Sequence, residues 1–87
     1  MNSRHRQTLS RIFAEPPPAD LRWSDIEALF KSVGAEISEG AGSRVRVALN
    51  GVRAVFNRPH PGPDAKRSAV RAVRGFLIAA GVTPELE

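Results

Sequence analysis

The stretch Arg44-Val45-Arg46-Val47-Ala48-Leu49-Asn50-Gly51-Val52-Arg53-Ala54-Val55-Phe56-Asn57 decides the fold class. Val45, Val47 and Leu49 alternate with Arg44, Arg46 and Ala48, the period-two pattern of a strand with one buried face. Asn50-Gly51 is the preferred two-residue type I′ turn, because both residue types tolerate positive φ. A two-residue loop sets Leu49 opposite Val52, Val47 opposite Ala54 and Val45 opposite Phe56, and these six make one apolar face. Arg44 with Asn57, Arg46 with Val55 and Ala48 with Arg53 make the other face, which is basic and polar. A slip of one residue would bury the arginines, so the register is strongly specified.

Downstream, Arg58-Pro59-His60-Pro61-Gly62-Pro63 holds three prolines in six residues and cannot continue a ladder. It reads as a rigid loop leading to a long helix, with Asp64 as the N-cap and Ser68 as a second candidate. Val70, Val73, Leu77 and Ala80 form that helix's buried stripe, Phe76 lies on the stripe's edge, and Gly81 ends it. Arg67, Arg71 and Arg74 recur on a different side.

Upstream, Ala35–Glu39 reads as a short strand and Gly40-Ala41-Gly42 as a turn. Before them, Ser24-Asp25-Ile26-Glu27 has the form of a capping box. Ile26, Leu29, Phe30 and Val33 make an apolar stripe that predicts a helix over 25–33, closed by Gly34. Residues 3–14 read as a further short helix with Leu9, Ile12 and Phe13 on one side, ended by Pro16-Pro17-Pro18. This leading segment is either docked on the domain or a mobile tail. The predicted organisation is an N-terminal helix and Pro-rich linker over 1–19 and a single domain over 20–84. The fold class is α+β, a three-stranded antiparallel sheet with helices on one face.

At 87 residues the chain makes one domain, and 41% hydrophobic with 25% charged residues is ordinary for a globular protein. Cysteine is absent, which excludes disulfides, a thiolate nucleophile and cysteine-ligated metal. Two histidines, His5 and His60, are too few for a multi-histidine metal site, so no metal or other cofactor is expected. No apolar run approaches the length of a membrane span, and the basic N-terminus lacks a signal peptide's apolar stretch. A cytoplasmic protein without membrane contact is the expectation.

The net charge of +4 conceals an asymmetry. Residues 40–83 carry seven arginines and Lys66 against Asp64 alone, while residues 20–39 are acidic and the end of the chain adds Glu85 and Glu87. A strongly basic second half points to a polyanion partner, with a merely solvated basic surface as the alternative. Arginine suits such a partner because its planar fork grips phosphate.

The second half also resembles the HicA-like toxins, small mRNA interferases of bacterial toxin–antitoxin systems. The resemblance covers roughly 23–82. It rests on the order Trp23-Ser24-Asp25-Ile26 at the first helix, Gly42-Ser43 before the hairpin, Pro59-His60 after it, and Val73-Arg74-Gly75-Phe76-Leu77-Ile78-Ala79-Ala80-Gly81 at the end. It implies a double-stranded-RNA-binding-domain-like α–β–β–β–α fold, ribosome-independent RNA cleavage, and an HicB-like antitoxin that covers the active surface. The family's Gly-Ser-His motif, whose histidine is the proposed catalytic residue, reads Gly42-Ser43-Arg44 here.

Metal-free RNA cleavage needs a base that titrates near neutrality and a cation for the phosphorane charge. Arg44 is always protonated and can serve only as the electrostatic clamp. His60 is the imidazole of the folded domain, held between two prolines just beyond the strand that pairs with Arg44, so the two are expected within reach of each other across the sheet end. The alternatives are a solvated loop histidine and an arginine that binds RNA or antitoxin without chemistry. Arg46, Arg53, Arg58, Lys66, Arg67, Arg71 and Arg74 are the expected phosphate contacts. Trp23 reads as core, with base stacking as the alternative, and His5 as solvated. The function classes in contention are an endoribonuclease toxin, a catalytically lapsed relative that binds RNA or antitoxin, and a protein-interaction module with an acidic partner.

Overall fold

Strands β2 (Arg44–Leu49) and β3 (Val52–Asn57) pair antiparallel, with Leu49 opposite Val52, Val47 opposite Ala54, Val45 opposite Phe56 and Arg46 opposite Val55. This is the register that the alternation dictates. Asn50 and Gly51 turn the chain with φ of +50° and +83°, the left-handed pair a type I′ turn requires. The structure, a computed structural model, describes residues 1–86, and Glu87 lies outside the described residues.

Strand β1 (Glu36–Glu39) adds to the other side of β2, giving the order β1-β2-β3, all antiparallel. Helices α2 (Trp23–Ser32) and α3 (Arg67–Ala79) lie on one face, α2 against β1 and α3 against β3. The α–β–β–β–α arrangement is therefore α+β, of the double-stranded-RNA-binding-domain type. A leading helix, α1 (Ser3–Ile12), precedes it, and a 3-10 turn (Pro84–Leu86) follows.

One core joins every layer: Ile26, Leu29 and Phe30 from α2, Val45, Val47 and Leu49 from β2, Phe56 from β3, and Val70, Val73 and Leu77 from α3. Phe56 stands within 5.8–5.9 Å, ring to ring, of Trp23, Phe30 and Phe76. Trp23 is 4% exposed, so it is a core residue rather than a platform for bases. Phe76, expected at the edge of its stripe, is buried, because its ring meets both Phe30 and Phe56 edge-on.

The leading segment is docked. Leu9 and Ile12 are 1% and 0% exposed and belong to the same core. Full burial of such side chains is worth about 1.5–3 kcal/mol each, a substantial part of what holds α1 against the domain. Asn2 caps α1 by accepting the His5 N–H at 2.9 Å.

Three helix-end expectations are corrected. Helix α2 begins at Trp23 with Arg22 in the N-cap position and no side-chain cap, so the Ser24–Glu27 capping box does not form. Glu27 instead accepts hydrogen bonds from the Trp23 indole and the Arg58 guanidinium. Helix α3 begins at Arg67 after Lys66, and neither Asp64 nor Ser68 caps it. Asp64 is held in a bridge opposite Arg22, where the Trp23 N–H donates to the Pro63 carbonyl at 3.0 Å and the Ala65 N–H to Leu21 at 2.8 Å. Stitching residues 63–65 to 21–23 fixes the end of the proline-rich loop and leaves Asp64 no freedom to cap.

Candidate nucleic-acid interface

The sheet buries one face, and its other face is open. Alternation directs Arg44, Arg46, Ala48, Arg53, Val55 and Asn57 to the open side, and the β1–β2 register adds Glu36 beside Ala48 and Ser38 beside Arg46. Arg44, Arg46 and Arg53 are exposed, and none has a carboxylate partner among the described residues. Arg46 alone is tethered, by a 3.1 Å bond from Nη1 to the Glu39 carbonyl. A shallow groove of about 590 Å³ runs over this face, with Arg46, Arg53, Ala48 and Val55 among its walls. The start of β2 is placed by Gly40, whose N–H donates to the Arg44 carbonyl at 2.9 Å. A Cβ on Gly40 would stand 3.1 Å from that of Arg44, tighter than packing allows without a shift.

A second concavity, a cleft of about 390 Å³, lies where the free edge of β3 meets the first turns of α3. His60, Lys66 and Ser68 line it together with Val55 and Asn57. His60 and Lys66 are exposed there. Arg44 does not line this cleft, although the Arg58 N–H donates to the Ser43 carbonyl at 2.9 Å and ties the Gly42-Ser43-Arg44 segment to the start of the His60 loop.

Arg58 borders the same cleft but is committed elsewhere. Its Nε donates to Glu27 Oε2 at 2.8 Å, and its Nη1 and Nη2 donate to the Glu39 carboxylate at 2.5 and 2.8 Å. This fork bridges α2 and β1 across the end of β3. Hydrogen bonds from Arg58 hold both the Glu27 and Glu39 carboxyls below their ordinary range, with the Trp23 indole assisting at Glu27. The same two carboxylates push the guanidinium further up from its ordinary value.

The α3 arginines are committed too. Arg67 donates to the Pro17 carbonyl at 2.9 Å. Arg71 meets Glu15 at 3.1 Å. Arg74 donates to the Ile12 and Ala14 carbonyls at 2.9 and 2.7 Å and to Glu15 at 2.7 Å. Hydrogen bonds from Arg74 and then Arg71 hold the Glu15 carboxyl low. The helix stripe thus clamps the α1–triproline segment to the domain.

The eight expected phosphate-binding or clamping cations therefore fall into separate groups: Arg44, Arg46 and Arg53 on the open sheet, Lys66 beside His60 in the cleft, and Arg58, Arg67, Arg71 and Arg74 engaged within the chain. Three features were missed from sequence. Glu27 with Glu39, and Glu15, neutralise arginines that lie 19 to 59 positions away, and no local pattern announces such pairs. Val55, 59% exposed, lines both concavities; its signal was an apolar β-branched residue on the arginine side of the alternation.

Fold and surface together define a small α–β–β–β–α domain with a basic open sheet face and an imidazole-bearing cleft at the sheet's edge. The family model described as HicA toxin of bacterial toxin-antitoxin matches residues 23–82, more than half of the chain. The chain belongs to the HicA toxin family. Neither the curated proteins nor the solved structures contain a match to it.

Proposed function

We propose that this toxin-family protein acts on RNA: it binds the phosphate backbone on its basic surface and cleaves the strand at the cleft between β3 and α3, as an mRNA interferase. The observation that carries this reading is the joint presence of His60 and Lys66 on one cleft beside Asn57. An imidazole can take the proton of the 2′-hydroxyl as its oxygen attacks the adjacent phosphorus. The lysine ammonium then faces the charge that develops on the phosphorane, and the P–O5′ bond breaks as the 5′-oxygen takes a proton from the imidazolium or from water, leaving a 2′,3′-cyclic phosphate. Arg58 borders the cleft but already faces two carboxylates, so Lys66 is the better clamp. Arg44 fits RNA binding rather than chemistry, since it lines the sheet face and carries a permanent proton. An HicB-like antitoxin is the partner that this reading supplies.

A second reading, a relative that binds RNA or antitoxin without cutting, is favoured by Arg44, which stands where the resemblance to the family implies a histidine. Purified protein incubated with a long mRNA separates the two. Cleavage that is lost in His60→Ala and retained in Arg44→Ala is expected. Cleavage indifferent to His60, or an intact transcript under wild-type protein, would remove the catalytic reading.

A further inference from the structure

The two concavities on the sheet share one residue. Val55 lines the open-face groove with Arg46 and Arg53, and it lines the edge cleft with His60 and Lys66. It sits opposite Arg46 in the β2–β3 register and is one of the few exposed large hydrophobic residues. Asn57, two residues on and on the same face, continues into the cleft. The groove and the cleft are therefore successive stretches of one surface that turns over the β3 edge, with Val55 as the ridge.

From this we infer that a single RNA strand crosses the open face over Arg53 and Arg46, passes the Val55 ridge, and enters the cleft at Asn57 and His60. The inference rests on the RNA reading above and assigns the track that feeds that cleft. Charge complementarity selects the occupant, since the face presents Arg44, Arg46 and Arg53, without carboxylate partners among the described residues, against Glu36. A surface that bends around a sheet edge suits a flexible single strand and excludes a stiff duplex. Recognition is through the backbone: Trp23, Phe30, Phe56 and Phe76 are all buried, so none of these four rings stands free to stack on a base. The α3 arginines are not part of the track, because they already hold the N-terminal segment.

The test is fluorescence anisotropy of a labelled 12-nucleotide single-stranded RNA over a range of salt, using the full chain. All variants lie on exposed positions and are checked for unchanged thermal unfolding. Removing two of the three sheet cations in Arg46→Gln/Arg53→Gln is expected to weaken binding roughly tenfold and to flatten the log affinity–log salt slope by about 1.4, the share of two phosphate contacts on a single strand. Val55→Glu, which sets a carboxylate on the ridge, is expected to weaken binding as well. Arg71→Gln on α3 is expected to stay within about twofold of wild type. Binding that survives the sheet variants but falls with Arg71→Gln overturns the track and leaves the RNA reading standing. RNA binding indifferent to all of them also overturns it and assigns the open face to a protein partner. An RNA that wild type does not bind overturns the RNA reading itself.

Discussion

Two trios of arginines end in opposite circumstances. Arg67, Arg71 and Arg74 on α3 reach the N-terminal segment, where Glu15 and the carbonyls of Ile12, Ala14 and Pro17 accept their hydrogen bonds. Arg44, Arg46 and Arg53 on the sheet point away from the core and meet no carboxylate among the described residues. The α3 trio recurs along one helix and the sheet trio is shared by two paired strands, and in sequence either could serve a phosphate chain. The difference lies in what stands opposite. A helix flank beside a docked segment becomes a structural clamp, whereas the uncovered side of a two-layer domain keeps its cations available.

This contrast can be broken most forcefully at the docked helix. Ile12→Ala removes a fully buried side chain and is expected to cost about 2–5 kcal/mol in urea unfolding, since large-to-small core changes leave a cavity. A loss below about 1 kcal/mol would mean that the segment is an appendage and the α3 arginines are free after all. Next in size is Arg74→Ala. Its side chain is only 19% exposed and serves three acceptors, so a loss of about 2 kcal/mol is expected from the unmet carbonyls and the broken charge-assisted bond.

A smaller effect depends on pH. The Glu27 carboxyl is held low in the folded protein by its bonds from Arg58 and Trp23. A lowered folded value means that the unfolded chain binds the proton more readily, so this contribution is complete above the ordinary carboxylate range and is lost as pH falls through the folded value. Glu27→Gln should therefore flatten the acid limb of the stability–pH profile below about pH 5, relative to wild type. An unchanged acid limb would detach Glu27 from the Arg58 fork. The smallest effect sharpens the contrast from the other side. Arg53→Ala, with no partner to lose, should alter stability by no more than about 0.5 kcal/mol, while the same substitution at Arg74 does not pass unnoticed.

Much of the fold was legible because its signals are short-range. Val45, Val47 and Leu49 alternating up to Asn50-Gly51 specify both the turn and the pairing, and each hairpin contact lies close in sequence. The apolar spacings of α2 and α3 and the glycines that close them are equally local, as Gly34 and Gly81 show with φ of +90° and +81°. The helix starts were less legible. Ser24 and Asp64 are competent caps by residue type, yet the pairing of 63–65 with 21–23 decides where both helices begin. The candidate site was legible only as a supply of cations and one imidazole. His60 and Lys66 share a cleft because α3 packs beside the β3 edge, and Val55 joins that cleft to the open face because β3 has no outer neighbour.

By itself, the chain's order of residues determined the hairpin register and the helical stripes, written in periodicities of two and about four positions, and a basic second half, written in composition. Which guanidinium groups remain available was decided by tertiary structure alone. An ion pair such as Arg74 with Glu15 depends on distance in space between residues 59 positions apart, and packing of α1 into the core is what closes that distance.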